Sequence, residues 1–93
     1  VSGEREIVHV IVRGRVQGVS FRAWTARHAE GRGIDGWIRN REDGSVEAVL
    51  AGPPDAVRQV VDACRVGPPT ALVTDVITLP HPDEPALGFR VRA

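Results

Sequence analysis

"DGWIRNREDGSVEAVLAG", Asp35 to Gly52, holds two alternating apolar–polar runs on either side of Asp43-Gly44. Period-two alternation marks half-buried strands, and an Asp-Gly pair accepts the positive φ that a tight hairpin turn demands. Gly36, Ile38 and Asn40 share one face of the first run; Val46, Ala48 and Leu50 share one face of the second. Because Ile38 is the apolar member of its set, that face should turn to the core. The stretch predicts an antiparallel hairpin, and what flanks it decides the fold.

Upstream, Ile7–Arg13 alternates as well, with Val8, Val10 and Val12 on one side and His9, Ile11 and Arg13 on the other, which predicts a strand buried on one face. From Phe21 the period changes. Phe21, Trp24, Thr25, His28 and Ala29 form the stripe of an amphipathic helix, which Gly31 and Gly33 stop. Downstream, Gly52-Pro53-Pro54-Asp55 opens a second helix striped by Val57, Val60, Val61 and Cys64 and halted at Gly67-Pro68-Pro69. Leu72–Leu79 has strand propensity, "PHPDEP" is a proline-rich loop, and "GFRVRA" reads as a short final strand. Two strand–helix units around a hairpin predict an α+β, ferredoxin-like fold (split βαβ, in the order βαββαβ). Its sheet should be antiparallel, with both helices on one face. With no linker or repeat, residues 1–93 are expected to be one complete domain.

Composition narrows the function. Twelve basic residues balance twelve acidic ones, so the net charge does not call for a nucleic acid or a membrane as partner. All the basic residues are arginine, which removes lysine Schiff-base and lysine–phosphate chemistry. Cys64 is the only cysteine, so neither an internal disulfide nor a thiolate metal cluster can form, and a cytoplasmic location is expected. His9, His28 and His81 lack metal-ligand spacing, and no metal or cofactor is implied. RNA-binding members of this fold carry aromatics on the two central strands, where this chain has His9, Ile11, Glu47 and Val49.

The chemistry should lie in "GRVQGVSFR", Gly14 to Arg22, which joins the first strand to the first helix. Backbone N–H groups at a helix start lack intrahelical partners, and the helix dipole adds positive charge there, so a phosphate suits the place. Gly14 and Gly18 would let the amides of Val16, Gln17, Gly18, Val19, Ser20, Phe21 and Arg22 converge in a nest, with the Arg22 fork beside them. The same spacing also suits an ordinary turn that contains an arginine. Asn40 has two readings, a cap on hairpin backbone groups or a functional amide. Ser20 lies outside any G-x-S-x-G elbow and has no histidine placed by sequence to activate it.

"GRVQGVSFR" together with "GWIRNREDGSVEAVLAG" resembles the two signature segments of the acylphosphatase family, and the order of elements agrees over nearly the whole chain. The resemblance implies metal-independent hydrolysis of acyl phosphates to carboxylate and inorganic phosphate; a monomer is expected, though nothing in the sequence fixes the oligomeric state. By position it puts the family's phosphate-binding arginine on Arg22 and its water-orienting asparagine on Asn40. Ser20, at a position commonly aromatic or glycine in relatives, and Arg32, where a leucine is usual, depart from the pattern. Arg32 is expected to lay its stem on the core with its head in water. The competing function is a noncatalytic anion sensor of the same fold; a third reading is an isolated piece of a carbamoyl-transfer enzyme.

Overall fold

The computed structural model describes residues 4–81 and 83–93, so Pro82 of the proline-rich stretch and the first three residues lie outside it. The elements run β1 (Glu6–Arg15), α1 (Phe21–Glu30), β2 (Asp35–Asn40), β3 (Val46–Gly52), α2 (Pro54–Val66), β4 (Leu72–Pro80) and β5 (Phe89–Val91). They build one sheet in the order β4-β1-β3-β2-β5. The first four strands pair antiparallel, as a ferredoxin-like fold requires. β5 adds to β2 in parallel, with Gly36 opposite Phe89, so the sheet is mixed and not antiparallel throughout.

Both helices lie on one sheet face, and a single core joins them to it. Val10, Val12, Ile38, Val46, Ala48 and Leu50 meet Phe21 and Ala29 of α1 and Val57, Val60, Val61 and Cys64 of α2. The whole predicted α2 stripe is buried; burial of one such aliphatic side chain stabilises by about 1.5–3 kcal/mol. Pro54 at the first turn and Asp55 beside it suit the α2 start, where φ is preset and the dipole favours an acid. On α1, Trp24 and His28 stay half-buried, with ring centroids 4.3 Å apart and the planes tilted by 53°.

The far side of the sheet is drier than one-sided alternation predicts, since Ile11 and Val49 are buried there too. Both sit on central strands, so neighbours in register wall them in: Glu47 and Ile77 flank Ile11, and His9 and Trp37 flank Val49. Glu47 lies 2.6 Å from His9 Nε2 and accepts from Arg39 Nε at 2.6 Å. Burial works to raise its carboxyl, but the His9 and Arg39 hydrogen bonds outweigh it and hold the group below the usual carboxylate range.

Candidate active site

β1 hands the chain to α1 at the end of the sheet where β2 also finishes. Gly14 belongs to the strand and not to the loop: the register with β4 slips between Arg13 and Gly14, and Gly14 forms the irregularity at φ 124°. A Cβ there would collide with the Leu72 carbonyl oxygen and crowd the Thr74 amide, so glycine is needed for close approach. The curl expected of Gly14 falls instead to Gly18, at φ 75° with open space around it, and to Ser20, at φ 63°. Val16, 1% exposed, anchors the turn in the core.

No described residue accepts a hydrogen bond from the backbone N–H of Gln17, Gly18, Val19, Ser20, Phe21 or Arg22; the first bond of α1 runs from Trp24 N to Ser20 O at 3.0 Å. A run of unpaired amides at a helix start, with positive φ at Gly18 and Ser20, is an arrangement that suits an anion. It is fixed from two sides. Gln17 Nε2 donates to the carbonyl oxygens of Arg41 (2.7 Å) and Ser45 (2.9 Å) across the β2–β3 turn. On the other flank the Thr70 hydroxyl donates to Val19 O at 3.0 Å. The turn is itself braced, because Asp43 Oδ1 accepts from the Ser45 amide (2.9 Å) and hydroxyl (2.6 Å). The sequence reading assigned Gln17 an amide in the cradle and missed its side chain as the tie between the two signature segments.

Val16, Gly18, Ser20, Phe21, Arg22 and Asn40 line one open hollow of about 320 Å³, with Ala23 and Val91 completing its wall. Thus Arg22 and Asn40, on different elements, reach the same space. Arg22 Nη1 donates to the Arg92 carbonyl oxygen at 2.5 Å. That partner arrives because β5 runs parallel to β2 toward the site, and Arg92 N donates to Ile38 O at 2.8 Å. One edge of the fork is thereby pinned, leaving its other donors for a ligand. Asn40 stands beyond Ile38 on the core face of β2, as alternation predicts. Its Oδ1 is sealed from solvent and accepts no hydrogen bond from a described residue. A cap would spend that oxygen on a backbone amide.

The other candidates go to structure. Ser20 makes no side-chain cap bond, and the residues lining its hollow include no histidine to activate it. Cys64 is packed in the core, where burial pushes its thiol up to about 11, opposed by the Thr25 hydroxyl. Arg32 does not lie on the core as expected; it bridges the helices, donating from Nε to Gln59 Oε1 at 2.9 Å and from Nη1 to His28 O at 3.1 Å.

The family model for acylphosphatase matches residues 8–91. An acylphosphatase of Rhodopseudomonas palustris is 56% identical over 71 residues, which span 76% of this chain and 72% of the relative. One from Azorhizobium caulinodans is 47% identical over 87 residues, covering 92% and 94% of the two chains. The solved acylphosphatase structure from Coxiella burnetii superposes with a TM-score of 0.90 at 36% identity, covering 95% of this chain and 93% of its own.

Proposed function

The chain belongs to the acylphosphatase family, and on that premise we propose how its own residues hydrolyse the carboxyl–phosphate bond of an acyl phosphate to carboxylate and inorganic phosphate. The observation that carries the reading is the convergence of unpaired amides, the Arg22 guanidinium and the Asn40 carboxamide on one hollow. The amides of Val16 to Arg22 and the unpinned donors of Arg22 hold the nonbridging phosphoryl oxygens. These bonds tighten as charge redistributes in a loose, largely dissociative transition state. Asn40 aligns a water for in-line attack, gaining rate by positioning. The water oxygen bonds to phosphorus as the bond to the acyl oxygen breaks; the carboxylate leaves with the electron pair, and the water proton passes to a phosphoryl oxygen. A carboxylate is a good leaving group, so no strong general base is required.

An anion sensor would need the cradle but gives Asn40 nothing to do. In the same proposal residues 1–93 are one domain, a monomer of the cytoplasm that binds no nucleic acid. Among the described residues no helix is long and apolar enough to cross a membrane. Hydrolysis of acetyl or benzoyl phosphate in the presence of EDTA tests the reading, with turnover expected to persist. Loss of turnover with EDTA, or faster hydrolysis of the monoester p-nitrophenyl phosphate, would overturn it.

A further inference from the structure

We propose that Trp37, on the sheet face turned away from the hollow, is a positioning residue for Arg22. Its ring holds the Arg92 side chain, and the carbonyl oxygen of the same Arg92 holds the Arg22 fork. The inference rests on the reading above that Arg22 binds the phosphoryl group, and it names what sets that arginine from behind the sheet.

Trp37 lies between Gly36 and Ile38 on β2, so alternation turns its side chain away from the core face that Ile38 and Asn40 share. It is half-buried, next to Val49 in the register. Arg92 comes one residue after β5, whose pairing with β2 ends where Ile38 meets Val91. Past that point one backbone bond continues, from Arg92 N to Ile38 O at 2.8 Å. The Arg92 guanidinium adds a second hold, because its Cζ lies 4.6 Å from the centre of the Trp37 ring. That is well inside the roughly 6 Å over which an aromatic face attracts a cation, and tryptophan offers the strongest face. Arg92 is thus gripped behind the sheet by its side chain while its carbonyl oxygen accepts from Arg22 Nη1 at 2.5 Å. Where the Arg92 backbone sits decides where the unpinned donors of Arg22 point.

Arg39 supplies the contrast. Its Cζ stands 5.8 Å from the same ring, at the edge of that range, and its Nε is committed to Glu47 at 2.6 Å. It shares the ring with Arg92 but makes no hydrogen bond to Arg22, so it separates loss of a cation at Trp37 from loss of the link to the site. The effect is bounded, since the clamp can bias Arg22 by no more than the free energy it holds. For an exposed cation–π contact that bound is about 2- to 5-fold in an equilibrium constant.

The test uses Trp37→Leu, which keeps apolar cover on Val49 and removes the π face, and Arg92→Ala, which keeps the carbonyl and removes the cation. Acetyl phosphate kcat/KM and calorimetric titration with inorganic phosphate are measured on each, on the double variant, on Trp37→Phe and on Arg39→Ala. All are assayed at a temperature where circular dichroism shows them folded. Each of the first two should lower kcat/KM and phosphate affinity by about 2- to 5-fold, and the double variant should lose no more than either, since both remove the same contact. Trp37→Phe keeps a weaker face and should recover most of the loss; Arg39→Ala should leave both readouts unchanged. A merely structural tryptophan would lower Tm without moving phosphate affinity, and that result would overturn the proposal, as would losses that multiply in the double variant. If the parent hydrolyses acetyl phosphate and Trp37→Leu leaves both readouts unchanged, the clamp is wrong and the catalytic reading stands. If the parent binds phosphate without hydrolysing acetyl phosphate, and Trp37→Leu still weakens that binding, the catalytic reading falls and the clamp stands. A parent that does neither removes both.

Discussion

Replacing Gln17 by alanine removes the side chain that, among the described residues, ties the loop before α1 to the β2–β3 turn. Two bonds are lost, at 2.7 and 2.9 Å, to the carbonyl oxygens of Arg41 and Ser45. Neither oxygen is orphaned, since Arg41 O still accepts from Gly44 N and Ser45 O from Arg41 N. The cost is therefore that of two neutral hydrogen bonds without a desolvated remnant, about 1–2 kcal/mol together. For a domain of this size that corresponds to roughly 4–16 °C in Tm. Activity should fall further than stability explains, because the cradle and Asn40 lose their common reference; a displacement of about 1 Å can cost 10²-fold, and a loss of about 10-fold in kcat is expected. Gln17→Glu is the sharper companion, since it keeps the length but sets an anion against two carbonyl oxygens. Thermal melts and acetyl phosphate kinetics on the purified variants provide the measurement. A Gln17→Ala protein with the parent's Tm and the parent's kcat would refute the tie.

Asn40→Ala should lower kcat by about 10²- to 10³-fold while changing phosphate inhibition far less. Because its buried oxygen has no partner to lose, Tm should not fall; normal kcat with a lowered Tm would make Asn40 a structural residue. Arg22→Gln keeps a side-chain hydrogen-bond donor and removes the cation, so activity near background and weakened phosphate inhibition are expected in a protein still folded by circular dichroism. Arg15→Gln should do less, since Arg15 ends β1 and does not line the hollow; a reversed order would refute the assignment. Asp35 is held below the usual carboxylate range by the Gly88 amide, at 2.7 Å, and then by Arg5, at 2.9 Å. A depressed folded value means that its stabilisation is complete above the unfolded value of 3.8 and is lost as pH falls through the lower folded one. The Tm gap between parent and Asp35→Asn should therefore close in acid, and a gap unchanged at low pH would exclude this linkage.

Elements whose signal is local were readable from the chain alone. The α2 stripe, the Asp43-Gly44 turn and the inward face carrying Ile38 and Asn40 each depend on a period of a few residues. What escaped depends on backbone groups far away in sequence. The Arg22 partner is a carbonyl oxygen, which every residue carries, so nothing in the identity of Arg92 announces it. The parallel docking of β5 leaves no turn signature, because its connection crosses from one edge of the sheet to the other. Gly14 was legible as a special glycine and misplaced in role, since crowding by β4 and freedom to curl both select glycine. Gln17 looked like one more amide in a row because the turn it grips comes more than twenty residues later.

The Arg22–Arg92 contact spans 70 residues, nearly the length of the chain, and it lets the short last strand set the attitude of the guanidinium. β5 has three residues, one neighbouring strand and a helix to lean on, the weakest footing of any strand in the sheet. A hairpin and two helices can collapse early on local contacts, whereas a closure this long bears the largest loop entropy and forms late. Binding competence thus becomes a gauge of complete folding. A chain that has most of its circular dichroism but has not seated β5 would hold the amide cradle with its arginine unmoored, and regained activity should trail regained secondary structure during refolding.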